Sequence, residues 1–190
     1  AKLLAAKLGY KFVDVDQCIK FNDKGELELE RSLSLLRERL ANVEYAVLPG
    51  FYGTDESGKI RTFSRGGSDI SGAIVARAVN ADVYENWTDV SGFLRADPRI
   101  VDNPKPINSI SYMELRELSY MGATVLHEDA IFPVRTAGIP INIRNTNDPS
   151  AAGTMIVSEE SGEEIRQAQK NRNPYRRLKY YCRCMLTCFS

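Results

Sequence analysis

The stretch TFSRGGSDISGAIVARAV, residues 62–79, sets Gly66 and Gly67 between Arg65 and the pair Ser68–Asp69, then runs directly into an amphipathic segment of small residues. The start of a helix presents unpaired N–H groups and a partial positive charge, so glycines there let the backbone come close to an anion. Arg65 offers a planar fork that matches a carboxylate or a phosphate at two points. Asp69, at the head of the helix, can orient an ammonium group or a catalytic lysine. The same residues also suit a glycine turn with Ser68 or Asp69 capping the helix, and on this stretch alone both readings stand. Neither GxGxxG after a strand nor GxxxxGK[ST] occurs, which disfavours a dinucleotide-binding dehydrogenase and a Walker-type ATPase.

The elements that must position these groups follow from periodicity. Residues 1–8 read as the last turns of a helix stopped by Gly9, and YKFVDV as a short strand. Leucines at 29, 33, 36 and 40 keep helical spacing, and YAVLPGFYG reads as a buried strand that breaks at Pro49–Gly50. SDISGAIVARAVNA is a helix and ADVYENWTDV a strand, so the strand, loop, helix, strand order points to a mainly parallel sheet covered by helices. Residues 90–111 carry several prolines and no sustained period. SYMELRELSYMGA is helical behind a capping box formed by Ser111 and Glu114. ATVLH, a short helix in EDAIFPVRTAG, IPINIRN and GTMIV complete the alternation, and residues 158–190 read as a linker and an irregular tail.

At 190 residues with 43% hydrophobic content, the chain can bury one core. Lys plus Arg and Asp plus Glu both number 25, so charge balance favours neither nucleic acid nor an anionic membrane as a partner. No apolar run approaches the ~20 residues of a membrane span, and the start AKLLAAKLGY lacks a signal-cleavage pattern, which is read as cytoplasmic. Cys18, Cys182, Cys184 and Cys188 have neither CxxC spacing nor histidine partners, and are expected to be free thiols. His127 stands beside Glu128 and Asp129, but with no second histidine or cysteine near it a structural hydrogen bond is expected rather than a metal site.

VLPGFYG, FSRGGSD, NWTDVSGFLRADPR, SYMELRELSYMGATVLHEDAIFPV and IPINIRNTNDPSAAGT, in that order and spacing, resemble the catalytic domain of aspartate kinases, in the amino acid kinase superfamily. The resemblance covers residues 1–157 and implies a three-layer α/β/α sandwich with a mainly parallel sheet. It also implies transfer of the γ-phosphoryl group of ATP, carried with Mg2+, to the side-chain carboxylate of L-aspartate. Carried over residue by residue, it makes Arg65 the holder of an aspartate carboxylate, Ser68 a substrate contact and Asp69 the organiser of the catalytic lysine. Gly66 and Gly67 shape the loop, Thr88 and Asp89 contact the nucleotide, Arg99 lies near its phosphates, and Asp97–Pro98 shapes the loop before it. Leu94 and Thr124 stand where many aspartate kinases carry a tyrosine and a lysine, so no nucleotide role passes to them.

The KFGGTS-like strand with its lysine, the glutamate before the first helix and the C-terminal ACT domains have no counterpart in this sequence. The resemblance therefore implies a fragment, with little turnover alone, of an enzyme that forms a homo-oligomer. A change of reading frame is one expectation for the tail. Alternative readings are an amino acid kinase for glutamate, acetylglutamate, carbamate or UMP, and a non-catalytic nucleotide-binding remnant.

Overall fold

The computed structural model describes residues 1–120, 126, 128–158 and 181–185. Helix α1 (Lys2–Leu8) ends at Gly9, whose φ of 68° is the left-handed turn expected there. Strand β1 (Lys11–Phe12) leads through a short 3-10 turn (Val15–Gln17) and a polar loop into α2 (Leu29–Leu40). Next come β2 (Ala46–Val47), the hairpin strands β3 (Tyr52–Thr54) and β4 (Ile60–Thr62), and helix α3 (Gly67–Ala78). The remainder is β5 (Val83–Thr88), β6 (Ser109–Ser111), α4 (Tyr112–Tyr120), α5 (Glu128–Thr136), β7 (Ile141–Asn145), β8 (Thr154–Val157) and β9 (Tyr181–Met185). Thr124, His127 and most of the expected strand ATVLH lie outside the described residues, as do 159–180 and 186–190.

The larger sheet has five strands in the order β6-β8-β7-β5-β9. Strands β6 and β8, β5 and β7, and β5 and β9 run parallel, while β7 and β8 are antiparallel. The expected α/β class with a mainly parallel sheet is what the structure shows. Two smaller pairs are separate from it, β1 with β2 in parallel and β3 with β4 as a hairpin. β6 arises in a stretch whose sequence shows no period, because three residues paired with β8 need no alternation of their own. The tail requires a correction. Tyr181–Met185, expected to be irregular, form a strand that pairs with β5 from Val83 to Trp87. The edge of a buried strand offers unpaired N–H and C=O groups, which can impose strand geometry on a segment whose composition does not announce it.

Two apolar clusters meet at α3. Tyr84, Ile141, Ile143 and Ile156 of the sheet pack with Leu115 of α4, Ile131 and Val134 of α5, and Ala73 and Ala76 of α3. On its other side Ile74 and Ala78 join Leu33 and Leu36 of α2 and the segment Val13, Val15, Cys18, Ile19 and Phe21. The alanines let α3 approach closely, which is why its sequence is rich in small residues. The capping box of α4 forms as expected: the Ser111 N–H donates to Glu114 Oε2 at 2.6 Å, and the Glu114 N–H to Ser111 Oγ at 3.1 Å. Among the described residues no helix is long and apolar enough to cross a membrane. Burial pushes the Cys18 thiol up from its ordinary range, as befits a free, inert thiol.

The β3–β4 turn is organised by Asp55. Its carboxylate accepts from the Ser57 hydroxyl at 2.6 Å, the Lys59 N–H at 2.9 Å and Arg61 Nε at 2.9 Å. These donors, the Ser57 hydroxyl foremost, hold its pKa at about 2 against an ordinary 3.8. A depressed carboxylate stabilises fully above its unfolded value and loses that contribution as pH falls through its folded value. Asp55→Asn should therefore lower the melting temperature at pH 7, and the gap from the unmutated chain should close between about pH 4 and pH 2. A gap that persists unchanged at pH 2 would show that the charge on Asp55 is not what holds the turn.

Candidate active site

The first turn of α3 resolves the two readings of the glycine stretch. Gly66 precedes the helix with φ 57°, in the left-handed region that glycine adopts without cost, and caps it without a side-chain hydrogen bond. Ser68 and Asp69 sit inside the first turn, so the reading of either as the N-cap is corrected. The turn needs a residue at positive φ, and glycine supplies that where serine or aspartate would be strained. Gly67 has a separate reason to lack a side chain: a Cβ there would lie 2.9 Å from Phe51 Cβ and 3.1 Å from Phe63 Cβ.

Asp69 is 8% exposed, an unusual place for a carboxylate. Its Oδ1 accepts from the Asn86 side-chain amide at 2.8 Å, and the Tyr84 hydroxyl donates to its main-chain carbonyl at 3.3 Å. Both partners stand on β5, two and four residues before Thr88. These bonds bring the 64–69 loop to the same end of the sheet as Thr88 and Asp89. The loop at 50–53 joins them: a Cβ on Gly50 would touch Ser68 Cα at 3.4 Å, and the Phe51 N–H donates to Ser71 Oγ at 2.9 Å. Ser71 in turn donates to the Gly67 carbonyl at 2.7 Å.

The 50–53 and 64–69 segments thus meet at the N-terminus of α3, which is tied to Asn86 of β5, and ligands bind at such strand ends in open α/β sheets. Arg65 is exposed there, free to turn its fork toward an incoming anion. At the end of β5 the Thr88 hydroxyl donates to Asp89 Oδ1 at 3.2 Å. The Thr88 carbonyl accepts from the Thr146 N–H and hydroxyl at 2.8 and 2.9 Å, which locks β7 to the same end. Gly92 follows at φ 99° against Thr154, whose hydroxyl accepts the Phe93 N–H at 2.8 Å.

Arg99 lies apart from this group in its bonding. Its side chain is 88% exposed and grips Asp97 through Nη2 to Oδ2 at 2.6 Å and Nε to Oδ1 at 3.0 Å. That grip holds the Asp97 carboxyl at about 2 and raises the guanidinium further. Asp97 engages only Nε and Nη2, so Nη1 of this exposed guanidinium keeps donors to offer. Leu94 is partly exposed on the same loop and bridges to Pro106.

Sequence reasoning missed two residues here. Asn86 is 1% exposed on β5, in the alternation that faces the core, and a buried asparagine at such a position was itself a signal. Phe51 has φ 68° and 54% exposure, a bulky residue in a conformation that glycine favours, which nothing in GFYG announces. A hollow of about 280 Å³ is lined by Phe51, Asp14, Asp16, Tyr52 and Ile60, and neither Arg65 nor Asp69 is among its lining residues. Among the described residues no three His, Cys, Asp or Glu side chains gather as metal ligands.

The amino acid kinase family model matches residues 1–145. The chain is 43% identical over 169 residues to aspartokinase 3 of Bacillus subtilis, covering 83% of this chain and 37% of that protein. Clostridium acetobutylicum aspartate kinase shares its fold with a TM-score of 0.78 and 55% identity, over 83% of this chain and 36% of that one. E. coli aspartokinase III, in complex with aspartate and ADP, gives a TM-score of 0.70 and 30% identity, over 82% and 36%. The chain therefore spans little more than a third of the length of these relatives.

The close packing at Gly67 is testable. Gly67→Ala must displace Phe51 or Phe63, and overpacking of this kind costs ~1–3 kcal/mol. Urea denaturation should show a loss in that range. An unchanged midpoint would mean that the Phe51 loop yields freely and is not held as described.

Proposed function

The chain belongs to the amino acid kinase family, and from that premise we propose that it is the aspartate-binding and nucleotide-binding part of an aspartate kinase, soluble in the cytoplasm and part of a homo-oligomer. The reaction passes the γ-phosphoryl group of ATP, bound as its Mg2+ complex, to the side-chain carboxylate of L-aspartate, giving 4-phospho-L-aspartate and ADP. The observation that carries this reading is the convergence of the 50–53, 64–69 and 86–89 segments through the Asp69–Asn86 and Phe51–Ser71 bonds. The extent of likeness to aspartate kinases, at 43% and 55% identity, favours this substrate over glutamate, acetylglutamate, carbamate or UMP.

In this reading Arg65 binds one carboxylate of aspartate with its fork, and Ser68, one residue inside the helix, adds an N–H or hydroxyl contact. Phosphoryl transfer is helped chiefly by positioning and by charges that neutralise the transferring group. Asp69 orients the ammonium of a lysine that bears on that group. Thr88 and Asp89 hold the nucleotide at the end of β5, and Arg99 meets its phosphates. The Mg2+ travels as part of the nucleotide substrate, as it commonly does with substrate phosphates supplying most of its ligands.

In an enzyme complete enough to turn over, Arg65→Lys keeps the charge but loses the fork. It should raise the aspartate KM by about 10- to 100-fold, the loss of one or two charged hydrogen bonds, with the ATP KM within about twofold. Asp69→Asn keeps the shape but removes the charge, so it should lower kcat by about 10²-fold or more. Steady-state assays trapping the acyl phosphate as its hydroxamate read both. Equal losses of ATP and aspartate affinity from Arg65→Lys would contradict the assignment.

A further inference from the structure

Strand β5 places Tyr84, Asn86 and Thr88 on one face by strict alternation, and Tyr84 is fully buried in the larger core. A valine or isoleucine at position 86 would suit that face, and burying an amide there is unfavourable unless its hydrogens are bonded. They are. The Asn86 Nδ2 donates to Asp69 Oδ1 at 2.8 Å and lies 3.4 Å from the Tyr84 hydroxyl oxygen, while the Tyr84 hydroxyl donates to the Asp69 carbonyl at 3.3 Å. The orientation of the amide follows from its neighbour, because a reversed amide would set its oxygen against the carboxylate, acceptor against acceptor.

We propose that Asn86 is a positioning residue for Asp69: its amide holds the carboxyl group in one rotamer, at the junction of α3 and β5. This rests on the reading of Asp69 as the organiser of a cationic group. A carboxylate inside a helix's first turn is already favoured by the helix dipole, but the dipole does not select a rotamer. A directional donor from a rigid central strand does. The Tyr84 hydroxyl fixes the backbone of the same residue, so side chain and main chain of Asp69 are both tied to β5.

The test is solution NMR of the isotopically labelled chain. In the unmutated protein, a coupling across the hydrogen bond between Asn86 Nδ2 and Asp69 Cγ is expected, with three-bond couplings that report a single Asp69 χ1 rotamer. Asn86→Leu keeps the volume and removes the donor, and should lose the single rotamer while amide shifts in α5 and β7 hold. Asn86→Asp sets two carboxylates together and should lose it as well. Combining Asp69→Asn with Asn86→Asp exchanges donor and acceptor, and should restore the single rotamer and most of the melting temperature lost by Asn86→Asp alone. A single rotamer retained in Asn86→Leu, or no recovery in the exchanged pair, would overturn the proposal. Should the variants fail to fold, absence of the coupling in the unmutated chain overturns it and its presence supports it. None of these readouts uses a substrate, so a chain that fails to bind aspartate counts against the functional reading and leaves this pairing to be decided separately.

Discussion

Because two apolar clusters close on opposite sides of α3, the helix has almost no freedom to shift. Ala73 and Ala76 face the sheet and α5, while Ile74 and Ala78 face α2 and the N-terminal segment. A larger side chain at either alanine would have to push one layer away, at a cost of ~1–3 kcal/mol, and the first turn of the helix would move with it. That first turn carries Ser68 and Asp69 behind the Gly66 turn. The geometry of the site is thus inherited from core packing, and Phe51 and Thr88 find their places relative to an anchored helix end.

Two polar side chains buried on β5, Asn86 and Glu85, are tolerated because each has a directional partner. Asp69 and Asn86 satisfy one another on the face toward α3. On the opposite face of β5, Glu85 is fully buried and accepts from Trp87 Nε1 at 2.7 Å. The Arg144 guanidinium lies 3.7 Å from the same carboxylate and 5.0 Å from the Trp87 ring centroid. Breaking such a buried pair by removing one partner typically costs 3–5 kcal/mol, because a charge is left behind without compensation. β5 therefore carries polar side chains on both faces without loss of order, and it connects the Thr88 end of the sheet to its interior.

Much of this was legible in the sequence wherever the signal is local. The helical spacing of α2 and α3, the strand composition of β5, β7 and β8, and the reciprocal cap of Ser111 and Glu114 all depend on residues within a few positions of one another. The Arg65, Ser68 and Asp69 group stands out in the sequence as a candidate through its likeness to aspartate kinases, while its local conformation was not legible there. Gly66 rather than Ser68 or Asp69 ends up as the cap, since only the backbone decides which residue takes the positive φ. The Asp69–Asn86 bond joins residues 17 apart and exists only once α3 has settled on the sheet. β9 was missed for a related reason, because its strand geometry comes from the edge of β5 and not from a pattern in YYCRCM.

The central claim is that the N-terminus of α3 and the C-terminal end of β5 form one site for L-aspartate and MgATP. Amide chemical-shift mapping of the labelled chain, titrated with each ligand in turn, tests it most directly. The account expects aspartate to perturb residues 50–53 and 65–69, MgATP to perturb 88–99, and either ligand to reach Asn86. Shifts confined to the hollow of Asp14, Asp16 and Tyr52, or no saturable shift at Arg65 and Asp89 with either ligand, would contradict it.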